Sequence, residues 1–175
     1  MKVAQTPVKV EIRPLAEAEI GLLERLLPSS TPPEKHRDRF ALQQQGRVVY
    51  LVAWQNGMPI GHGLLKWNGT EDEPVASHLP DCPDVEDLFV TPKLRSKGIG
   101  SQLLATAEDL ARQRGYRRIG LGVGIDNPRA HALYLRRGYR DSGYGRYPHR
   151  VFYVDGLGRH QLRIEICVYL IKDLV

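Results

Sequence analysis

Apolar and charged residues alternate from Val8 to Ile12, which predicts a first strand. The spacing then lengthens. Leu15, Ile20, Leu22, Leu23, Leu26 and Leu27 recur at helical intervals after Pro14, and the run from Pro28 to Pro33 ends that helix in a loop. A second helix is predicted over Glu34–Gln45, stopped by Gly46. Val48–Trp54 and Ile60–Trp67 read as strands joined at Asn56-Gly57, a dipeptide suited to a tight hairpin turn. Asn68–Asp84 carries Pro74, Pro80 and Pro83 and reads as a long polar loop. Strands at Val85–Val90 and Arg118–Val123 then alternate with amphipathic helices at Ile99–Arg114 and Asn127–Arg137, which stop at Gly115 and Gly138. A closing hairpin is predicted from Val151–Val154 and Gln161–Leu170, joined by Asp155-Gly156-Leu157-Gly158. The order predicts one domain, a mixed α/β sheet covered by helices, with no internal repeat or linker.

Composition narrows the class. With 175 residues, 42% of them hydrophobic, the chain is long enough for one substantial core. No apolar run approaches the roughly 18–20 residues of a membrane span, and Met1–Val10 lacks the apolar core of a signal peptide, so a cytoplasmic protein with no membrane partner is expected. Cys82 and Cys167 sit in no metal-ligand spacing. Cys82, between Pro80 and Pro83, is expected to be a loop thiol, and Cys167 a small core residue. The histidines show no ligand pattern, so no metal is expected. His62 reads as structural, while His78 and His149 fall in expected loops and are candidate proton relays.

The net charge of +5 suits an anionic partner. It is unevenly placed. Glu71, Asp72, Glu73, Asp81, Asp84, Glu86 and Asp87 crowd a stretch without Lys or Arg, whereas Lys93–Arg150 is rich in both. Aromatic residues are not interleaved with the basic ones and no nucleic-acid motif is present, so nucleic acid is not the expected partner.

The most informative segment is Val85-Glu86-Asp87-Leu88-Phe89-Val90-Thr91-Pro92-Lys93-Leu94-Arg95-Ser96-Lys97-Gly98-Ile99-Gly100-Ser101. A strand runs through a basic turn into a helix whose first residues include two glycines. Glycine lets backbone approach a phosphate, and a helix N-terminus offers free N–H groups and a favourable dipole. The residues alone are equally compatible with a helix-entry turn bearing a solvated basic face. They do not form a Walker loop, since no Gly-Lys-Ser/Thr follows. Gly120, Gly122 and Gly124 alternate strictly and fit close packing in a strand better than a dinucleotide fingerprint.

Arg95-x-x-Gly98-x-Gly100 after a strand resembles the acetyl-CoA motif of the GNAT superfamily of N-acetyltransferases. A second element, Asn127-Pro128-Arg129-Ala130-His131-Ala132-Leu133-Tyr134 followed by Gly138-Tyr139, resembles that family's Asn-x-x-Ala-x-x-Leu-Tyr signature. The resemblance implies a mixed, mostly antiparallel sheet, splayed at the cofactor strand Val85–Val90 and flanked by about four helices. It implies acetyl-CoA as co-substrate, its pantetheine arm bonded by backbone at Leu88, Phe89 and Val90 and its pyrophosphate by amides of Arg95, Ser96, Lys97, Gly98, Ile99, Gly100 and Ser101. Asn127 would meet the pantetheine, and Arg136 or Arg137 the adenosine phosphates, although Asn127 also suits a helix cap and the arginines a solvated face.

Chemistry assigns the remaining roles. An amine nucleophile must lose a proton near neutral pH, and a leaving thiolate gains one. Glu86 is the candidate base, on a strand that resembles those of diamine and other small-amine acetyltransferases. Strand alternation places Glu86 and Asp87 on opposite faces, so Asp87 and Asp84 are its rivals. Tyr134 matches the family's general acid. With no cysteine in either motif, direct attack in a ternary complex is expected. The acidic stretch favours a small cationic amine as acceptor. A protein Lys or α-amino group, and a non-catalytic acyl-CoA-binding module, are the alternatives. The terminal strands could pair two copies into a homodimer.

Overall fold

The computed structural model describes residues 9–28 and 34–175. Val8 and most of the expected proline-rich loop, residues 29–33, lie outside the described residues, as does most of the segment read for a signal peptide. The described chain forms a seven-stranded sheet flanked by five α-helices. The strands are β1 (Val10–Pro14), β2 (Val48–Gln55), β3 (Met58–Lys66), β4 (Asp84–Val90), β5 (Arg118–Gly124), β6 (Arg140–Val154) and β7 (His160–Asp173). The helices are α1 (Ile20–Leu26), α2 (Lys35–Gln44), α3 (Glu73–His78), α4 (Ile99–Gln113) and α5 (Pro128–Arg136). Spatial order is β1-β2-β3-β4-β5-β7-β6, and only β4 and β5 run parallel.

Two apolar layers hold the sheet. On one face Leu103, Leu104, Ala107 and Ala111 of α4 pack on Leu51, Leu65, Val85, Ile119 and Leu121. These positions carry the helical period of α4, so burying one face of the helix completes the core. On the other face Ile20, Leu23 and Leu27 cover Val48, Tyr50, Val52 and Leu64. A smaller cluster joins Val75, Leu79 and Cys82 to Tyr147, Cys167, Tyr169 and Ile171.

In the elements and the core, the structure departs from or adds to the sequence reading in five places. First, α3 lies inside the expected loop. It has six residues, of which only Val75 is buried, so it is too short to show a period. Second, the hairpin is far longer than expected, because β6 begins at Arg140. Its early residues include Gly143, Gly145 and Pro148, which read as a turn; pairing with β7 overrides that local tendency. Third, Pro14 ends β1, an edge strand that tolerates a missing donor, instead of opening a helix. Fourth, Cys82 lies in a loop, as expected, but is buried there, 4% exposed. Cys167 is buried as expected. Fifth, the β5 glycines do not serve backbone packing. A Cβ at Gly120 would lie 2.7 Å from the Tyr169 hydroxyl, and one at Gly122 would lie 2.5 Å from the Tyr147 hydroxyl. The bare face of β5 is room for two tyrosines.

The site is made by a failure of pairing. β4 and β5 meet only at Asp84 and Gly120, where the Gly120 amide donates to the Pro83 carbonyl at 2.9 Å. Beyond that fork no further register pair joins them, and the sheet opens toward Val90 and Gly124.

Candidate active site

Two cavities flank the opened end of β4. The larger, about 500 Å³, is lined by Leu88, Phe89, Val90, Leu94, Arg95, Ser96, Gly98, Ile99, Gly100, Ser101, Asn127, Arg129, Ala130, Leu133, Tyr134, Arg136 and Arg137. The smaller, about 170 Å³, includes Lys66, Glu71, Asp72, Asp84, Glu86, Asp87, Leu88, Tyr134, Tyr147, His149 and Glu165 in its wall. Leu88 and Tyr134 belong to both, so the cavities meet there.

The larger cavity ends at the turn between β4 and α4. Ser96 and Gly98 have φ of 61° and 83°, in the left-handed region. Turns of this kind make concave arrays of amides that suit anions, and the first amides of α4 have no helical acceptor. Gly98 meets its φ at no steric cost, whereas Ser96 is held by the Arg129 guanidinium, which donates to its hydroxyl at 2.6 Å. Arg95 folds back to donate to the Val90 carbonyl at 2.9 Å and tightens the turn. A Cβ at Gly100 would meet Leu133, Leu88 and Val90 at 3.6–3.9 Å, so a small residue here seats the helix against β4 without strain. Asn127 caps α5, accepting from the Ala130 amide at 3.1 Å as one expectation had it, and it also lines the cavity.

Of the residues expected around a cofactor, Lys97 alone is absent from the lining. Arg137 lines it but is committed elsewhere: its guanidinium lies 3.4 Å from Glu108, a buried carboxylate that also accepts from Lys172 at 2.6 Å. The sequence reading missed Leu94, Arg129, Ala130 and Leu133. Arg129 and Ala130 stand inside the α5 motif, and helical spacing from Asn127 and Tyr134 is the signal that could have found them.

Tyr134 is 8% exposed, with its ring 6.1 Å from that of Tyr139. Burial pushes its phenol up to about 12, so it stays protonated near neutral pH. Among the described residues none takes its hydroxyl in a side-chain hydrogen bond, and the group stands where the cavities join.

The carboxylates of the smaller cavity correct a further expectation. β3 and β4 pair Leu64 with Glu86 but His62 with Phe89, so β4 carries one extra residue, and Asp87 adopts φ 49°. This bulge cancels the alternation. Glu86 stands opposite Leu64, whose side chain faces α1, and the Asp87 carboxylate accepts from Lys35 and Arg39 of α2 at 2.9 Å each. Both therefore point to one face. Arg39 and Lys35 hold the Asp87 carboxyl below its usual range despite the opposing effect of burial. The His62 Nδ1–H donates to the Asp87 carbonyl at 3.1 Å, and burial lowers that imidazole to about 3, so it is neutral. His62 is structural, as expected: it helps to fix the bulge. His36 anchors α2 behind it, bonding Tyr50 at 2.7 Å and the Leu27 carbonyl at 2.6 Å.

Glu86 accepts from Lys66 at 3.0 Å and keeps 39% of its side chain exposed. Lys66 also lies 3.3 Å from Glu71. Asp84, one pleat inward and 4% exposed, accepts from the Tyr169 hydroxyl at 2.8 Å. Burial pushes its carboxyl up to about 7; the neighbouring Glu86 adds to this, while Lys66 and the Tyr169 hydrogen bond oppose it. His149 lies on β6 and not in a loop, 3.0 Å from Asp72, and faces the cavity. His78 ends α3 and packs edge-on to Tyr144, outside the lining. Among the described residues no group of three or more His, Cys, Asp or Glu could hold a metal, and no helix is long and apolar enough to cross a membrane.

Comparison with known proteins agrees with this geometry. The sequence model of the acetyltransferase (GNAT) family matches residues 20–139. The aminoalkylphosphonate N-acetyltransferase of Salmonella typhimurium is 34% identical over 125 residues, covering 71% of this chain and 78% of that protein. The crystal structure of an N-acetyltransferase from Staphylococcus aureus superposes with a TM-score of 0.70 at 17% identity, over 95% of this chain and 99% of that one. A PaiA N-acetyltransferase from Thermoplasma acidophilum, solved in complex with coenzyme A, does so with a TM-score of 0.66 at 18% identity, over 94% and 99%. The splayed sheet, the Arg95–Gly100 turn and the Asn127–Tyr134 helix thus belong together, and the chain is a member of the GNAT family, an N-acetyltransferase.

Proposed function

We propose that the chain moves the acetyl group of acetyl-CoA to the primary amine of a small cationic acceptor, by direct attack in a ternary complex. One observation carries this reading: a large cavity with an amide-rich turn meets a small, carboxylate-lined cavity at Leu88 and Tyr134. Acetyl-CoA would occupy the first, its pyrophosphate at Ser96–Ser101 and its thioester at the junction. There the backbone N–H of Leu88 can polarise the carbonyl and Tyr134 can protonate the departing thiolate. The amine would enter the second, attracted by Glu86.

Charge favours a cation. Lys66 is the one Lys or Arg in the described lining of the small cavity, and it is already bonded to Glu86 and Glu71. The Salmonella relative is named for an aminoalkylphosphonate, an amine that also bears an anion. Against six carboxyl-bearing side chains in the wall, a phosphonate would find no uncommitted cation. The cavity's modest volume likewise favours a small amine over a protein segment.

The test is thiol release from acetyl-CoA with a panel of diamines, polyamines, aminoalkylphosphonates and Lys-containing peptides. Turnover is expected to be highest with a diamine or polyamine. Preference for the phosphonate or a peptide would overturn the acceptor class, and no turnover with any amine would overturn the reaction.

A further inference from the structure

We propose that Asp84, held by Tyr169 at the fork of β4 and β5, receives the proton that the acceptor ammonium must lose before it attacks. The inference rests on the amine-acetylation reading above. It divides the work of two carboxylates: Glu86 binds the cation and Asp84 takes its proton.

The geometry separates them. Glu86 lies toward the open side of the small cavity, bonded to Lys66. Asp84 lies on the same side of β4, two residues back, where the strands cease to pair. It is nearly sealed from solvent yet still forms part of the wall. Its surroundings are built for it. Tyr169 reaches it from β7 across β5 only because Gly120 has no side chain; a Cβ there would sit 2.7 Å from the phenol oxygen. Burying a carboxylate is costly unless it is neutralised or well paired. Lys66 is shared with Glu86 and Glu71, so among the described residues Asp84 has one side-chain hydrogen bond and no cation of its own. A fold that needed only a stitch between β4 and β7 would gain by an amide or an apolar pair here.

Such a carboxyl has an affinity for protons matched to neutral pH, as a base should. Burial sets it first; Glu86 on its own strand and Asp72 before α3 raise it further, while Lys66 on β3 and the Tyr169 hydrogen bond from β7 lower it. Cys82 and Tyr147 also face it, and its charge raises both of them. The proton balance closes. R–NH3+ gives one proton to the Asp84 carboxylate, leaving R–NH2. The nitrogen then bonds the thioester carbon, and the C–S bond breaks. The nitrogen's second departing proton balances the one that Tyr134 gives the thiolate. Asp84 afterwards releases its proton to water.

The experiment measures kcat/KM against pH, with the best amine of the panel, for wild type, Asp84→Asn and Tyr169→Phe, alongside thermal unfolding at each pH. The wild-type rate should fall on the acid side of about 7 as Asp84 protonates. Asp84→Asn should lower kcat roughly 10²–10⁴-fold, the usual range for a positioned acid–base group, and replace the limb near 7 with one that follows the amine's own ionisation at about 10. Tyr169→Phe removes a hydrogen bond that favours the ionised form, so its acid limb should move to higher pH. Unfolding gives an independent sign. A carboxyl whose native pKa is raised costs stability above that pKa, so Asp84→Asn should melt higher than wild type at pH 8, the gap closing as pH falls toward 4. An active wild type with an indifferent Asp84→Asn, or an unmoved limb in Tyr169→Phe, overturns the proposal alone. A wild type inactive with every amine overturns the underlying reading.

Discussion

The two cavities are built on different plans. The larger one is mostly backbone: a turn, a helix N-terminus and one face of α5, drawn from residues 88–101 and 127–137. The smaller one is mostly side chain, gathered from β3, the segment before α3, β4, β6 and β7. A ligand held by amides tolerates change in most side chains and demands particular backbone. A ligand held by carboxylates demands particular side chains and tolerates change in the chain that carries them. The first plan suits a co-substrate common to a family, the second an acceptor that differs between members.

Of the two residues shared by both cavities, Tyr134 should show the largest effect. Tyr134→Phe keeps the ring and its packing but removes the one proton donor at the junction. We expect kcat to fall by roughly 10²–10⁴-fold with acetyl-CoA affinity unchanged. Normal turnover in stopped-flow or steady-state assays would make Tyr134 a packing residue, and the junction would lose its chemical meaning.

Next comes the pair Asp84 and Asp87, three residues apart with opposite electrostatics. Asp87→Asn leaves Lys35 and Arg39 without their carboxylate. Losing a charged partner costs about 1–3 kcal/mol, and the partial exposure of Asp87 puts the expected loss toward the low end. Because the native Asp87 pKa is depressed, its contribution is present above the ordinary carboxylate value and is lost as pH falls through the native one. The melting-temperature deficit of Asp87→Asn should thus be full at neutral pH and shrink below about 4. That is the reverse of the gain expected for Asp84→Asn. A deficit that persists unchanged into acid would mean that the latch between α2 and the bulge works by shape and not by charge.

The same contrast explains what the sequence revealed. The larger cavity was legible because its elements are local: a strand, a glycine turn and a helix start follow one another, and Asn127 and Tyr134 lie on one helix. The smaller cavity was legible only in part. Glu86 and Asp87 were found, but their facing was misread, because nothing in Glu86-Asp87-Leu88 signals a bulge; Asp87 carries its positive φ without being Gly or Asn, and tertiary bonds from α2 and His62 hold it there. In the sequence His149 reads only as a loop histidine and candidate proton relay, and Glu165 is not singled out. They lie on a hairpin whose first half shows no strand pattern in the sequence, some eighty residues or more from Asp72, and no local pattern links them. Likewise the alternating glycines of β5 carried a message, room for Tyr147 and Tyr169, that only the register with β7 makes plain.

The smallest effects test whether the larger cavity is truly a backbone site. Gly98 and Lys97 are neighbours in the same turn, and a charge-based view would rank Lys97 first. The structure ranks them the other way. Gly98 holds φ 83°, which costs an L residue about 1–2 kcal/mol, whereas Lys97 is not part of the wall. Nothing lies within 4 Å of a Cβ at Gly98, so Gly98→Ala acts through conformation and not through a clash. If the amide array binds the pyrophosphate, Gly98→Ala should weaken acetyl-CoA about tenfold, that cost expressed as affinity. Lys97→Ala should weaken it by no more than about twofold at physiological salt, because an exposed cation at a distance is screened. Calorimetric titration of acetyl-CoA into both variants decides between the views. Equal losses would mean that general positive charge, and not the shape of the turn, holds the phosphates. A larger loss in Lys97→Ala would mean that the lysine swings into the cavity when the cofactor binds, and the division between a backbone site and a side-chain site would fail at its clearest point.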